Sequence, residues 1–381
     1  MTAPMRILVV GCGKMGGCHA RAYHKLNGFE IVGLVSKDPE TLARLSEELG
    51  GLRQFEDYEA ALTATQPDAV SINTYPDTHA SFCIMALRAG CHVFVEKPLA
   101  TTVEDAEAVV KLAAETNRKV LVGYILRVHP VWQRFIETAK TLGKPLVMRM
   151  SLNQQSFGDT WRGHKNLMNF MSPIVDCGVH YVDVMCQMTG ASPVHVHAIG
   201  ARLTDEVKHG MYNYGHLHVT FEDGSVGWYE AGWGPMMSQV AYFVKDVIGP
   251  KGSVSIAQRR VDEKLAVRLT TKSRNQRDGL WLHYADLDGN GQFARRDASI
   301  RSLQAPDQQT LCCREQELFL RTIREDLDLT PHLRDAVNSL RILLAADQSY
   351  RTGQVVDLSN SECSVVNGPD GRPGETASSA R

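Results

Sequence analysis

Arg6-Ile-Leu-Val-Val-Gly-Cys-Gly-Lys-Met-Gly16 decides the fold. Arg6–Val10 is an aliphatic, β-branched run too short for a helix, and it reads as a buried strand. Gly11, Gly13 and Gly16 follow at the spacing G-x-G-x-x-G, and a helical pattern continues through His19, Tyr23 and Leu26. Strand, glycine turn and helix form the context in which this spacing signals a dinucleotide site. Gly11 permits the tight turn, Gly13 lets a pyrophosphate approach the backbone, and Gly16 lets the helix close on the strand. Lys14 and Met15 occupy the helix N-terminus, where exposed N–H groups and the helix dipole favour an anion. The plain alternative is an ordinary tight turn.

Working outward, the alternation repeats. Glu30–Val35, Ala69–Asn73, His92–Val95 and Lys119–Gly123 read as further strands. Between them, Asp38 with Pro39, and Thr101-Thr102 with Glu104 and Asp105, mark helix starts. Repeated strand–helix units mean a doubly wound parallel sheet, whose ligands lie beyond the carboxyl ends of the strands. From about Leu146 the pattern becomes long alternating strands: VMRMSLNQ, VHVHAIGARL, YGHLHVTFEDG, SVGWYEAGW, GSVSIAQ and KLAVRLTT. The expected fold is therefore α/β. A dinucleotide-binding Rossmann domain occupies 1–125. A C-terminal α+β domain with an open, mostly antiparallel sheet occupies 126–358. A disordered tail, rich in Ser, Gly, Pro and Asn, occupies 359–381.

Composition sets the limits. The 381 residues suffice for two or three domains, and 43% hydrophobic with 22% charged residues is ordinary globular usage. The net charge of -2 disfavours nucleic acid as a partner. No apolar run is long enough to span a bilayer, and the first strand is not preceded by a secretory leader. The nine cysteines show no CxxC spacing, and Cys312 and Cys313 are adjacent. Free thiols in a cytoplasmic protein are the simplest reading.

The residue that meets the adenosine ribose falls about 20 positions after the glycines. Here that is Ser36, followed by Lys37. A carboxylate there would repel a 2′-phosphate, whereas a hydroxyl and an ammonium accept one. The balance therefore favours NADP over NAD, with Asp38 read as a helix cap rather than a ribose ligand. Glu96-Lys97-Pro98 closes the fourth long strand at a ligand-facing end, although a surface Glu–Lys pair would also fit.

Several motifs in order resemble the Gfo/Idh/MocA oxidoreductases. They are GCGKMG at 11–16, NTYPDTHASFCIMALRAGCHVFVEKPLA at 73–100, Asp176-Cys-Gly-Val-His180, and DAVNSLRILLAADQSYRTGQVVDL at 335–358. Met171-Ser172-Pro173 stands where a glycine pair often precedes the Asp-xxx-His segment. The resemblance implies that Lys97 sits between nicotinamide and substrate, that His180 is the acid/base, and that Asp176 fixes the pair. The chemistry agrees. Hydride leaving an alcohol carbon needs a base for the O–H proton and a cation for the developing alkoxide. Asp176 and His180, four apart, share a face if their segment is helical. The resemblance also places Thr74, Pro76, His79 and Glu96 around the cofactor and Arg127 near the substrate. Helix capping and a structural salt bridge are the alternatives. Trp161 and Arg162, in a glycine-bounded loop, suit a sugar-like ligand; a tryptophan covering the core is the rival reading.

Two further signals tempt. His195, His197, His216 and His218 alternate on strands, but no carboxylate accompanies them at metal spacing, so no metal is expected. Asp286, Asp288, Asn290 and Asp297 follow an EF-hand loop pattern without flanking helices, and a hairpin turn is the better reading. The function expected is an NAD(P)-dependent oxidoreductase acting on a secondary alcohol or ketone of a sugar, cyclitol or related polyhydroxy compound. Relatives of this kind associate through the open sheet, which implies a homo-oligomer, a dimer or tetramer. Two other readings stay open. One is lyase or glycosidase chemistry on a held nicotinamide; the other is a cofactor sensor without catalysis.

Overall fold

The computed structural model describes residues 3–238, 243–258, 278–301, 306–359 and 364–366. Its first sheet holds β1 (Met5–Val10), β2 (Phe29–Val35), β3 (Gln54–Phe55), β4 (Ala69–Ile72), β5 (His92–Glu96) and β6 (Val120–Gly123). The order is β3-β2-β1-β4-β5-β6, with every pairing parallel. Ile7, Leu8 and Val9 are fully buried, as an aliphatic strand covered on both faces must be. Helices α1 (Lys14–Lys25), α2 (Pro39–Glu48), α3 (Tyr58–Thr65), α4 (Pro76–Arg88) and α5 (Val103–Glu115) make the crossovers. The sequence reading missed β3 and α3. The chain order reverses between β1 and β4, which opens the crevice where dinucleotides bind such sheets.

Two glycines are dictated by this packing. Gly11 has φ +88°, and a Cβ there would lie 2.5 Å from the carbonyl oxygen of Asn73. A Cβ on Gly16 would lie 1.7 Å from the carbonyl oxygen of Gly11, so helix and turn can close only on glycine. A Cβ at Gly13 would meet nothing within 4 Å, and the backbone there is open to a ligand.

After α6 (Pro130–Lys140) the chain enters a second sheet. Its strands are β7 (Val147–Gln155), β8 (Pro193–Ala201), β9 (Tyr214–Phe221), β10 (Val226–Gly234), β11 (Lys245–Gly249), β12 (Gly252–Gln258), β13 (Asp278–Tyr284), β14 (Ala298–Arg301), β15 (Val355–Asp357) and β16 (Ser364–Val366). The order is β14-β13-β12-β11-β7-β10-β9-β8-β15-β16. All its pairs are antiparallel except β7 with β10, which run parallel. Helices α7 (Gly158–Leu167) and α8 (Pro173–Thr189) lie between β7 and β8. Helices α9 (Gln308–Arg324) and α10 (Thr330–Thr352) follow β14. Phe319 of α9 packs with Phe29 and Phe94 of the first sheet. α10 joins the core formed by α8 and β10. The tail carries β16, within the stretch expected to be disordered. The proposed strand at 264–271 lies outside the described residues.

Residues 286–297 form a hairpin tip joining β13 to β14. The Asp288 carboxylate accepts the backbone N–H groups of Asn290 and Gln292. Asp286 pairs with Arg295 and Asp297 with His283. On β8 and β9, His197 stands opposite His218 and Ile199 opposite His216, as alternation along paired strands produces.

Candidate active site

Lys97 emerges from the end of β5, which lies between β4 and β6, so its backbone is fixed by the first sheet. Its Nζ donates to the carbonyl oxygen of Asp176 at 2.9 Å and to Asp176 Oδ1 at 3.1 Å. Asp176 lies in the first turn of α8, which Ser172 caps through its hydroxyl, with Pro173 at the first helical position. A residue of the first sheet and a residue of the second half therefore meet in one ion pair. Burial pulls the Lys97 ammonium down most strongly, but the Asp176 charge and hydrogen bond, with Cys177 and Glu96, together outweigh it and the net displacement is upward. Asp176 is displaced downward: its burial works against ionisation, and Lys97 overcomes it.

His180 is one turn beyond Asp176. Burial first, then the Lys97 charge, pushes it down to about 4, against the opposing pull of Glu96 and Asp176. It is therefore neutral near pH 7, beside a charged lysine. Its Nδ1 is buried without a partner. The edge of Tyr124 meets its ring at 6.3 Å between centroids, and Tyr124 Oη lies 3.1 Å from the Ser339 hydroxyl. The site thus holds a fixed cation, a fixed anion and a neutral imidazole.

The other sequence candidates separate. Asp38 caps α2, its carboxylate accepting from Glu40 N at 3.1 Å and Thr41 N at 3.4 Å. Ser36 Oγ accepts from Asp38 N at 3.2 Å, and Lys37 is exposed beside it. Thr74 Oγ1 lies 2.6 Å from Thr78 Oγ1, and Pro76 is the first residue of α4. His79 is wholly buried, with Nδ1 2.6 Å from the Pro98 carbonyl oxygen and Nε2 3.1 Å from that of Thr74. It braces the ends of β4 and β5 from behind and does not present its ring to a cofactor. Glu96 is likewise turned inward, against His19.

The substrate expectations change more. Arg127 makes a two-point pair with Asp183 at 2.9 and 2.5 Å and reaches Asp335 at 3.1 Å. Its Nε and Nη2 donors go to these two buried carboxylates, the structural salt bridge that was the alternative reading. Trp161 packs with Met168, Val207 and Trp233, and its Nε1 donates to Glu206 at 3.3 Å. Arg162 pairs with Asp159 on the exposed side of α7. An aromatic pair that the sequence does not single out lies within reach of the Asp176 charge. His164 stacks on Trp233 at 4.3 Å with rings 15° apart, and the Asp176 charge acts on it. Trp233 Nε1 donates to Gln154 Oε1 at 2.8 Å, which Cys177 Sγ also approaches at 3.7 Å. The alternation of β10 puts Trp233 on the buried side, but only the three-dimensional packing distinguishes it from Trp161.

Comparison with known proteins follows the same division of the chain. Residues 5–124 match the family model described as "Oxidoreductase family, NAD-binding Rossmann fold", and residues 134–255 match the Gfo/Idh/MocA C-terminal domain. UDP-N-acetylglucosamine 3-dehydrogenase of Acidithiobacillus ferrooxidans is 31% identical over 203 residues, 53% of this chain and 60% of that one. Several other curated relatives are matched over only about half of their length. scyllo-Inositol 2-dehydrogenase (NAD(+)) of Bacillus subtilis is 25% identical over 94% of this chain and 97% of its own. Among solved structures, scyllo-inositol dehydrogenase of Lactobacillus casei with bound NAD(H) and scyllo-inositol superposes with TM-score 0.73. The identity is 22%, over 94% of this chain and 100% of that one. With a turn that requires glycine at 11 and 16, a lysine at the end of β5 and an Asp-xxx-His turn meeting it from α8, the chain belongs to the Gfo/Idh/MocA oxidoreductase family.

Proposed function

We propose that this protein transfers a hydride between a nicotinamide dinucleotide and a secondary alcohol or ketone of a sugar, cyclitol or related polyhydroxy compound. The observation that carries the reading is the Lys97–Asp176 ion pair joining the two halves beside neutral His180. The glycine turn and the N-terminus of α1 would hold the pyrophosphate. The bound dinucleotide supplies the hydride acceptor. His180 takes the hydroxyl proton as the C–H bond breaks, and Lys97 stabilises the oxygen as it gains charge. Asp176 positions the lysine. The half-buried ring of His164, backed by the buried Trp233, offers a face for the apolar side of a ring-shaped polyol. Relatives named for UDP-N-acetylglucosamine, glucosides and inositols support this substrate class. Activity is tested by mixing purified protein with NADP or NAD and a panel of inositols, glucosides and nucleotide sugars, and watching reduced nicotinamide appear.

A base that is already neutral gives a defined pH response. Oxidation needs unprotonated His180, so kcat/KM should hold steady as pH falls from 7 towards 5 and collapse as it approaches 4. The same residue, followed by NMR, should titrate near 4 and move upward in Lys97→Met, because a positive neighbour is removed. A His180 titrating near 6.5 would contradict the assignment.

The dinucleotide preferred is NADP. Asp38 is occupied as a cap, and position 36 carries no charge. A cavity of about 320 Å³ lies beside the glycine turn, lined by Gly13, Lys14, Arg21, Thr41 and Arg44 among others. Arg21 pairs with Glu48, which also lines the cavity, so Lys14 and Arg44 are the cations that suit a 2′-phosphate. Ser36→Asp should shift the NADP-to-NAD ratio of kcat/KM by about tenfold or more towards NAD, since a carboxylate repels the phosphate. An unchanged ratio would mean that the ribose is read elsewhere.

The protein acts as a homo-oligomer through the outer face of the second sheet. Val226, Val147 and Ile248 are exposed there and aligned across β10, β7 and β11, and sedimentation reads the assembly directly.

A further inference from the structure

The support of Lys97 begins far from its own loop. α1 carries His19 and Tyr23 one turn apart, facing α9 from the far end of the chain. Tyr23 Oη donates to Gln316 Oε1 at 2.6 Å. Gln316 Nε2 donates to His19 Nδ1 at 2.8 Å, and His19 Nε2 donates to Glu96 Oε1 at 2.9 Å. Glu96 Oε2 then accepts the backbone N–H of Lys97 at 3.2 Å. Tyr23, Gln316 and His19 are wholly buried and Glu96 is 9% exposed. The directions follow from the groups themselves. A phenol O–H facing the amide oxygen leaves the amide nitrogen for His19. That nitrogen only donates, so Nδ1 is bare and the ring proton sits on Nε2, aimed at Glu96.

Glu315 stands beside this chain. It is 3% exposed, and its Oε1 is buried without a partner. Burial and the neighbouring Glu96 charge both push its carboxyl well up. Two adjacent buried carboxyls do not both ionise at neutral pH. The hydrogen bonds decide between them: Glu96 receives two N–H donors and keeps the charge. Cys312 Sγ and Glu315 also lie close enough to His19 for all three to hold a metal ion. Both nitrogens of His19 are already engaged, however, so the hydrogen-bonded use of the cluster excludes the metal-bound one.

We propose that Tyr23, Gln316 and His19 are a positioning chain that fixes an ionised Glu96 under the backbone of Lys97, while Glu315 beside it stays a neutral acid. Through this chain, helix α9 sets the place from which Lys97 reaches the reacting oxygen. The proposal rests on the reading of Lys97 given above.

Two isosteric substitutions separate the carboxyls without any substrate. In infrared difference spectra at pH 7, wild type minus Glu315→Gln should contain the C=O stretch of a protonated acid. Wild type minus Glu96→Gln should contain carboxylate bands instead. In turnover per folded protein, Gln316→Met should lower kcat about tenfold while dinucleotide Kd changes less than about twofold, because it misplaces the lysine without touching the cofactor. His19→Ala should lose more, and His19→Gln, which keeps a donor for Glu96, should recover part of the loss. Glu315→Gln should keep kcat within about twofold. Carboxylate bands from Glu315, or zinc that copurifies and is lost in Cys312→Ala, would overturn the proposal. So would an unchanged kcat in Gln316→Met when Lys97→Ala abolishes turnover. Normal turnover in Lys97→Ala would instead sink the reading of the site, and the infrared result would still judge the carboxyl pair.

Discussion

Lys97→Ala and His180→Ala should each lower kcat by about 10²–10⁴-fold, the range that acid/base assistance supplies, while dinucleotide affinity stays largely intact. The two residues reach the site from different parts of the molecule. Lys97 comes from β5 in the first sheet and His180 from α8, where Asp176, one turn before His180, pairs with Lys97. Neither belongs to the glycine turn, so losing either leaves the pyrophosphate cradle in place. Because they act on one proton and one oxygen, their losses should not multiply: the double variant should fall less than the product of the singles. Steady-state kinetics with parallel titration of dinucleotide fluorescence measures both halves of the claim. Turnover near wild type in either single variant, with dinucleotide bound, would favour a sensor over an enzyme.

Arg127→Met should destabilise the protein by about 3–5 kcal/mol, the cost of leaving the buried Asp183 carboxylate without its cation. Asp183 is fully buried and Asp335 nearly so, and Arg127 bonds both. Burial pushes the Asp183 carboxyl upward, with the Arg127 charge opposing it. Removing that charge removes what favours ionisation. Adding Asp183→Asn and Asp335→Asn to Arg127→Met should therefore recover part of the loss. Denaturant midpoints read the effect. If stability instead stays put while the KM for substrate rises more than about tenfold, Arg127 is a substrate ligand after all.

Features encoded locally were legible in the sequence. The glycine turn, the strands beside it, the Asp38 cap and the hairpin at 286–297 depend on near neighbours and on backbone sterics. The Lys97 and Asp176–His180 segments could be singled out because each ends or begins an element in a recognisable order. Pairings across the chain were not legible. Nothing near Arg127 announces Asp183 or Asp335, so its charge reads equally well as a ligand or a strut. Trp161 and Trp233 look alike in isolation, and only packing puts the second beside Asp176 through His164. The parallel pairing of β7 with β10 escapes alternation, which tells which face a residue occupies but not the direction of the partner strand. Likewise the position of His19, three residues after Gly16, fits any helix; its meaning comes from Gln316 and Glu96.

The central claim is direct transfer of hydrogen from a polyol carbon to the nicotinamide. It is tested most directly by giving the enzyme an active polyol deuterated at the reacting C–H and examining the reduced dinucleotide by NMR. Deuterium should appear at C4 of the nicotinamide, with Lys97→Ala and His180→Ala slowing its arrival. Reduced dinucleotide carrying no deuterium at C4, or deuterium released to solvent instead, would contradict the account.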